Sequence, residues 1–247
     1  MKYALIAYDI LFLALSCLTY GGAAIGVWQA IVWAQAHLPL WLVIGLTPLW
    51  AVLFCLLLIA EIFILRLPMP AVPEGKFDAP GSPVFWLWTW HFTLRRLIEW
   101  PPVFKIVMWS ASLRWLAYSA LGMRLAFESS MSADVDIVDP GMISIGKKSV
   151  IGGRTLIGCH VITKYDGQEK LFTSAIKIGA NVSIGLECLI SPGVEIGDHS
   201  TVSGRCVISQ FVKIGEHVMI KPLSVVPPKT VIPDHGVWPP KAVNSEQ

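Results

Sequence analysis

The sequence predicts a mainly β fold, in which a parallel β-helix follows two transmembrane α-helices and a set of amphipathic helices at the membrane interface. Of the 247 residues, 54% are hydrophobic and 15% are charged, whereas soluble domains are about 45–50% apolar and about 25% charged. Residues 1–70 contain only four charged side chains, those of Lys2, Asp9, Glu61 and Arg66. From residue 178 to residue 220, an aliphatic residue recurs at every sixth position. These observations exclude intrinsic disorder and divide the chain into a membrane part and a repeat part.

Residues 1–66 are predicted to form a hairpin of two transmembrane helices. Residues 3–34 and 38–65 are almost entirely apolar, and about 20 such residues cross a bilayer as a helix. The small residues at 21–24 leave a cleaved signal peptide as the alternative for the first stretch. We favour the hairpin, because the stretch is too long for a signal sequence and a second apolar stretch follows at once.

The basic residues indicate how the hairpin is oriented. The turn between the spans contains no Lys or Arg, and the nearest basic residues outside the other ends are Lys2, Arg66, Lys76, Arg95 and Arg96. By the positive-inside rule, both termini should lie in the cytoplasm. We therefore expect a multi-pass protein of a bacterial cytoplasmic (inner) membrane, with its C-terminal domain facing the cytoplasm.

Two acidic residues, Asp9 and Glu61, lie within the predicted spans. In an antiparallel hairpin they should reach a similar depth on the cytoplasmic side. An acid inside the membrane is a functional candidate by default. The interpretation we favour is an interface charge close to Arg66.

Residues 67–130 should connect the spans to the repeats along the membrane surface. Residues 67–83 are rich in Pro and Gly and are predicted to be a linker. Residues 84–130 mix basic side chains with tryptophans, which prefer the headgroup level, so we expect membrane-interface helices interrupted at residues 101–102. The tryptophans are Trp86, Trp88, Trp90, Trp100, Trp109 and Trp115. A third span over residues 103–121 is the alternative, and Lys105 and Arg114 argue against it.

Residues 131–247 are predicted to form a β-helix of hexapeptide repeats with a C-terminal extension. Eleven blocks of six begin with Ile or Val, and eight of them run without a gap from Ile178. Three blocks make an 18-residue turn, so residues 18 apart should stack. The predicted aliphatic columns are Ile178, Ile196, Ile214; Ile184, Val202, Ile220; and Ile190, Ile208, Val226. The fifth positions should also point inward, as Val182, Ser200, Val218 and as Cys188, Cys206, Ser224. Small residues after each aliphatic residue should allow tight corners.

The repeats contain one break, at residues 163–177, with the sequence TKYDGQEKLFTSAIK. This polar, glycine-containing segment should loop out from a corner. His160 stands directly before it. From the residues alone, His160 is either a general base, since the pKa of histidine lies near neutral pH, or a surface histidine at a polar corner.

The repeat region resembles the left-handed β-helix acyltransferases of the hexapeptide-repeat family. The resemblance rests on residues 175–185 (AIKIGANVSIG), 190–198 (ISPGVEIGD) and 225–233 (VVPPKTVIP). Upstream, residues 113–116 (LRWL), 120–124 (ALGMR) and 134–137 (DVDI) are similar to membrane-bound members. Ser183 departs from the pattern, since many sugar acetyltransferases of the family have Trp there.

The resemblance implies an acyltransferase that uses acetyl-CoA or another acyl-CoA as donor, with His160 as the general base. It also implies a homotrimer with coenzyme A in the groove between subunits. Gly185 and Gly204 match backbone contacts to the pantetheine, and Lys221 and Lys229 are placed to meet phosphates, unless they are solvated surface lysines. The anchor implies membrane lipids as surroundings and a membrane-associated acceptor, such as a lipid-linked sugar or polar lipid.

Several alternatives remain open at this stage. The residue that orients His160 could be Asp139, Glu128, Asp166 or Glu187, and Cys159 is a less favoured nucleophile. The donor could be an acyl-carrier protein with a long chain, and a non-catalytic trimeric scaffold at the membrane would explain the same fold. We expect no metal, because the histidine pair of the γ-class carbonic anhydrases is absent. We expect no nucleic-acid partner, because the net charge is only +2.

Overall fold

The computed structural model describes residues 2–99 and 101–239. The chain divides into two compact units. The helical unit consists of Met1–Pro70 and Trp86–Leu121, and the β-helical unit consists of Ala71–Phe85 and Gly122–Gln247. Trp100 and residues 240–247, at the end of the predicted C-terminal extension, lie outside the described residues.

The described residues of the first half of the chain form six helices: α1 (Lys2–His37), α2 (Leu40–Gly45), α3 (Thr47–Arg66), α4 (Pro83–Ile98), α5 (Pro101–Trp109) and α6 (Ala111–Ala120). Two stretches, Ile6–His37 and Thr47–Arg66, are long and apolar enough to cross a membrane, with mean hydropathies of 2.0 and 2.6. Helices α1 and α3 pack closely, since a Cβ on Gly26 would lie 2.7 Å from Leu57 Cδ1. Small residues allow this kind of close helix contact in membranes.

Hydropathy predicts one continuous helix over residues 38–65, but the structure has two helices there, α2 and α3. The stretch is interrupted at Leu46, and α3 starts at Thr47 with Pro48 in its first turn. Proline has no N–H to donate to the carbonyl four residues earlier, which is that of Ile44. Thr47 Oγ1 donates to Ile44 O instead, at 2.5 Å. The proline therefore determines where the second span begins.

Glu61 forms no hydrogen-bonded ion pair with Arg66 in the part of the chain that the structure describes. The Glu61 carboxylate packs against Gly22 of α1. Among the described residues, Glu61 Oε2 and Arg66 Nε are both buried without a hydrogen-bond partner. The absent side chain of Gly22 makes room for the carboxylate between the two helices.

Helix α4 buries one face within the helical unit, including Trp88, Leu94 and Arg95. Tyr20 Oη donates to the carbonyl of Leu97 at 2.5 Å, and the Arg95 guanidinium is paired with Glu99 at 2.5 Å. Arg95 is therefore a mostly buried ion-pair partner of the half-buried Glu99. Residues 103–121 are divided between α5 and α6, so they do not form a third continuous span.

The β-helix begins at Arg124, ahead of the predicted residue 131, and its strands form three parallel sheets. Sheet I contains β2 (Arg124–Leu125), β5 (Ile143–Ile145), β10 (Ile176–Ile178), β13 (Glu195–Ile196), β16 (Lys213–Ile214) and β19 (Val231–Ile232). Sheet II contains β3 (Ser130–Met131), β6 (Val150–Ile151), β11 (Ser183–Ile184), β14 (Thr201–Val202), β17 (Met219–Ile220) and β20 (Val237–Trp238). Sheet III contains β4 (Asp136–Ile137), β7 (Leu156–Ile157), β12 (Leu189–Ile190), β15 (Val207–Ile208) and β18 (Val225–Val226).

The register of the strands confirms the predicted 18-residue turn. Ile178 pairs with Ile196, and Ile196 pairs with Ile214. The predicted inward columns are buried, including the polar members at the fifth positions. Ser200 Oγ donates to Gly215 O at 2.7 Å and accepts from Val218 N at 2.9 Å. The buried Ser200 hydroxyl thus satisfies two backbone groups at its corner, whereas Ser224 Oγ is buried without a hydrogen-bond partner among the described residues.

The corners use two positions of each repeat for different reasons. The second position is often glycine because successive turns approach closely: a Cβ on Gly152 would lie 2.5 Å from the carbonyl carbon of Gly185. The fourth position has a positive φ, which favours glycine, yet is mostly occupied by other residues. These include Asn181, Glu187, His199, Arg205, Phe211, His217, Leu223, Lys229 and His235.

The break in the repeats is an ordered hairpin rather than an irregular loop. Strands β8 (His160–Tyr165) and β9 (Gln168–Thr173) pair antiparallel, and the predicted linker supplies a third strand, β1 (Gly75–Asp78), alongside β9. The hairpin leaves from the corner between sheets III and I. The chain then resumes in register, since Ile145 pairs with Ile178 across the insertion.

The close approach at Gly185 generates a stability prediction. A Cβ there would lie 2.5 Å from Gly204 N, so Gly185→Ala forces two backbones apart and should cost about 1–3 kcal/mol. At Gly204 the nearest atom to an added Cβ is Leu186 O at 3.3 Å, so Gly204→Ala should lose clearly less. Thermal unfolding of the two detergent-solubilised variants, followed by circular dichroism, makes the comparison. Equal losses would contradict this account of the second position.

Candidate active site

His160 is the first residue of the hairpin and contacts an acidic residue from the turn below. Its Nδ1 atom lies 2.7 Å from Asp139 Oδ2. The His160 side chain is 18% exposed and that of Asp139 is 7% exposed. His160 is thus a partly accessible ring held on its Nδ1 side by a buried carboxylate, which differs from a solvated corner histidine.

The fold brings Asp139 to this place because both residues occupy the same corner on successive turns. Asp139 follows β4 and directly precedes a short 3-10 turn at Pro140–Met142. Its Oδ2 atom also accepts a hydrogen bond from Cys159 N at 2.8 Å. The carboxylate therefore fixes the backbone immediately before His160 as well as the ring itself.

Of the four candidates for the residue that orients His160, the structure brings Asp139 to the ring. Glu187 lies at another corner, where it pairs with Arg154 and accepts from Arg205 Nε at 2.7 Å. The hydrogen bond from Arg205 holds the pKa of Glu187 below its usual value. Asp166 is at the tip of the hairpin and Glu128 is exposed on the first turn.

The His160–Asp139 pair has the geometry of a general base and its orienting group. A carboxylate at Nδ1 favours the tautomer in which Nδ1 carries the proton, so that Nε2 is the nitrogen able to accept another. It also stabilises the imidazolium that forms when Nε2 is protonated. The arrangement can therefore deprotonate a hydroxyl or amine.

Cys159 has the opposite environment for reactivity. Its side chain is fully buried, with Sγ 3.7 Å from the carbonyl of Met142. Burial, followed by the nearby charge of Asp139, raises the pKa of the thiol strongly. A thiol held neutral in this way is a poor nucleophile, so the geometry does not support the alternative with Cys159 as nucleophile.

Glu74, which no sequence pattern singles out, contacts the hairpin close to His160. Glu74 Oε2 accepts from Ser174 Oγ at 2.7 Å and from Ala175 N at 3.2 Å. Glu74 lies in the segment predicted to be a linker, 100 residues from Ser174 in sequence. No periodicity in the sequence connects the two, so only the tertiary structure reveals this contact.

The four residues matched to coenzyme A contacts are divided between two corners. Gly185, Gly204 and Lys221 lie at the corner between sheets II and III, whereas Lys229 lies at the corner of the hairpin, between sheets III and I. Both lysines are exposed. The absence of a side chain at Gly185 has a structural reason of its own, since Gly204 N occupies the space.

The column of His199 and His217 lies at the third corner, between sheets I and II, and continues to His235. The rings of His199 and His217 stack with centroids 4.8 Å apart, and those of His217 and His235 stack at 5.0 Å. Within residues 2–99 and 101–239, no cluster of three or more His, Cys, Asp or Glu side chains is suited to hold a metal ion. Only His160, among the repeat histidines, adjoins the hairpin.

No protein-family model matches the sequence, and no curated protein matches it. A maltose O-acetyltransferase from Clostridium difficile 630 is 18% identical, with 56% of this chain and 83% of that chain covered and a TM-score of 0.37. A hexapeptide-repeat containing acetyltransferase from Vibrio cholerae is 19% identical, with 55% and 82% covered and a TM-score of 0.34. A Neisseria gonorrhoeae serine acetyltransferase is 16% identical, with 90% and 94% covered and a TM-score of 0.29. The assignment of the fold rests on the strand pairing of this chain itself.

Proposed function

We propose that the protein is a membrane-anchored acyltransferase that moves an acetyl or other acyl group from acyl-CoA to a hydroxyl or amine. The observation that carries the proposal is the contact between His160 and Asp139 at the base of a hairpin that interrupts a hexapeptide β-helix. A buried carboxylate behind a partly exposed histidine is suited to general-base catalysis. The solved structures with related folds are named as acetyltransferases, which agrees with this choice of reaction.

In the proposed reaction, His160 takes the proton of the acceptor on Nε2 as the acceptor oxygen or nitrogen attacks the thioester carbonyl. A C–O or C–N bond forms and the C–S bond breaks. His160 then delivers the proton to the leaving thiolate of the donor. Asp139 holds the ring through Nδ1 and stabilises the transient imidazolium.

For the donor, we propose that Lys221 and Lys229 provide positive charge for the phosphates of coenzyme A, with Gly185 and Gly204 leaving the backbone accessible. Both lysines lie in the last described turns of the β-helix and are exposed. A long-chain donor on an acyl-carrier protein is the alternative, and a direct comparison of the two donors in one assay separates them.

We further propose that the acceptor is membrane-associated and that the β-helix faces the cytoplasm of a bacterial cell. Two helices, Ile6–His37 and Thr47–Arg66, have the length and hydropathy of membrane spans. The basic residues flank only the open end of the hairpin, which by the positive-inside rule is cytoplasmic. An anchored enzyme of this kind is suited to a lipid-linked sugar or polar lipid.

The proposed homotrimer is supported by the outer surface of sheet III. Its outward-facing column carries Asp136 on the first turn and then Leu156, Leu189, Val207 and Val225, of which Val225 is 61% exposed. The equivalent column on sheet I carries Lys177, Glu195 and Lys213, which pair with one another. Sheet II mixes apolar outward residues (Val150, Met219 and Val237) with Ser and Thr, so among the described strands sheet III has the most apolar outer column. An exposed apolar surface of this kind is typical of one that packs against another subunit.

The catalytic proposal predicts that His160→Ala reduces acyl transfer by about 10²–10⁴-fold, the usual contribution of a general base. Folding should be little affected, because His160 is at a corner and outside the aliphatic columns. The measurement is transfer of labelled acetyl from acetyl-CoA into a lipid extract.

His199→Ala and His217→Ala serve as matched controls, since both are repeat histidines at a different corner, and both should retain activity. Cys159→Ala should also retain activity if acyl transfer is direct. Equal activity in wild type and His160→Ala would contradict His160 as the base, whereas no transfer by wild type, with coenzyme A still bound, would favour the non-catalytic scaffold.

The trimer proposal predicts that Val225→Asp dissociates the assembly, because a charge would be buried between subunits. Val231→Asp is the matched control, since Val231 is an equally exposed valine, at 69%, on sheet I. Light scattering of the two detergent-solubilised variants should give a monomer for the first and a trimer for the second. A trimer in both variants would rule out sheet III as the contact surface.

A further inference from the structure

The segment that follows the second span clamps the hairpin that carries His160. We call residues Pro73–Asp78 the strap. Its strand β1 pairs with β9, so that Gly75 lies beside Thr173, and Thr173 in turn lies beside His160. The strap therefore forms the edge strand of a three-stranded antiparallel sheet, in which Gly75, Thr173 and His160 lie side by side on neighbouring strands.

Side-chain hydrogen bonds fasten the strap at this end of the hairpin. Thr173 Oγ1 donates to Pro73 O at 2.8 Å, and Thr173 is fully buried. Glu74 Oε2 accepts from Ser174 Oγ and from Ala175 N. Ser174 N donates to the carbonyl of Cys159, the residue before His160, at 2.8 Å. Glu74 is therefore linked to the backbone at His160 through a single residue, Ser174.

The position of this clamp matters because the proposed catalytic pair joins two parts of the fold. Asp139 belongs to the coil of the β-helix, whereas His160 belongs to the hairpin. The hairpin is connected to the coil at its two ends, residues 159–160 and 173–175. Any pivoting of the hairpin about these ends would change the distance from His160 Nδ1 to Asp139 Oδ2.

We propose that Glu74 is a positioning residue for His160: by fixing Ser174 and Ala175 at the base of the hairpin, it holds the His160 ring against Asp139. This inference rests on the proposed function, in which His160 is the base. Glu74 acts through other residues and has no contact with the reacting atoms. The far end of the strap supplies the comparison, since Asp78 pairs with Lys170 toward the tip of the hairpin.

The test uses the full-length, detergent-solubilised protein and the variants Glu74→Ala, Glu74→Gln and Asp78→Ala. Glu74→Ala should lower kcat by about 10- to 100-fold with KM for acetyl-CoA nearly unchanged, because a misplacement of about 1 Å costs on this order. Glu74→Gln retains an acceptor oxygen for Ser174 and Ala175, so it should stay within about threefold of wild type. Asp78→Ala removes a strap contact of similar kind away from His160 and should leave kcat unchanged.

A second readout does not depend on activity. Diethyl pyrocarbonate modifies unprotonated histidine, and mass spectrometry gives the rate at His160 relative to His199 in the same molecule. Glu74→Ala should raise this ratio as the ring loosens from Asp139, while Asp78→Ala and Glu74→Gln should not. If wild type transfers no acyl group, the proposed function fails, and the modification ratio still decides the role of Glu74.

Three results would overturn the inference. The first is a His160-to-His199 modification ratio in Glu74→Ala that equals the ratio in wild type. The second is an equal loss of kcat in Glu74→Ala and Asp78→Ala, which would indicate general support of the hairpin. The third is a Glu74→Gln variant as impaired as Glu74→Ala while both melt like wild type. Should Glu74→Ala fail to fold, Ser174→Ala removes the same hydrogen bond from its other side and carries the same expectation.

Discussion

Hydrogen bonding between successive turns of the β-helix is the constraint on which the rest of the structure depends. From Ile178 onward the turns repeat after 18 residues, as the pairing of Ile184 with Val202 and of Val202 with Ile220 shows. Because side chains alternate across a strand, a slip by one residue would turn every aliphatic column toward solvent. The same stacking excludes a Cβ at corner glycines such as Gly152 and imposes a positive φ at the fourth position. The hexapeptide pattern is therefore a backbone constraint as well as a hydrophobic one.

Additional residues can leave such a ladder only at a corner, since an insertion within a strand would break the register above it. The hairpin obeys this rule: Ile157 still pairs with Ile190, and Ile145 with Ile178. Asp139 occupies the same corner one turn earlier, so stacking delivers the first side chain of the insertion onto its carboxylate. The proposed catalytic pair thus forms because the β-helix accepts an insertion at a corner, and Asp139 lies at that corner one turn earlier.

The parts of the fold that the sequence could predict are those governed by a local period. The buried columns through Ile178, Ile184 and Ile190 follow directly from a repeat of six. Asp139 could be named only as one of four candidates, because its separation of 21 from His160 is not a multiple of the repeat. Glu74 could not be found, because its contacts with Ser174 cross 100 residues without any pattern. Hydropathy does not predict the start of α3, because it measures how apolar a side chain is and takes no account of the backbone N–H that proline lacks at Pro48.

Burial determines which side chain at the hairpin corner can act as a base. The Asp139 carboxylate is 7% exposed, and a carboxylate so buried requires donors, which it has in Cys159 N and the His160 ring. When His160 accepts a proton in the proposed reaction, this contact becomes an ion pair. The carboxylate then interacts more strongly with the ring as the transition state develops than it does in the resting protein, which is the kind of interaction that accelerates a reaction. The adjacent thiol of Cys159 gains nothing from the same carboxylate, because burial and the negative charge both raise its pKa. A single buried carboxylate therefore favours the histidine as base and disfavours the thiolate next to it.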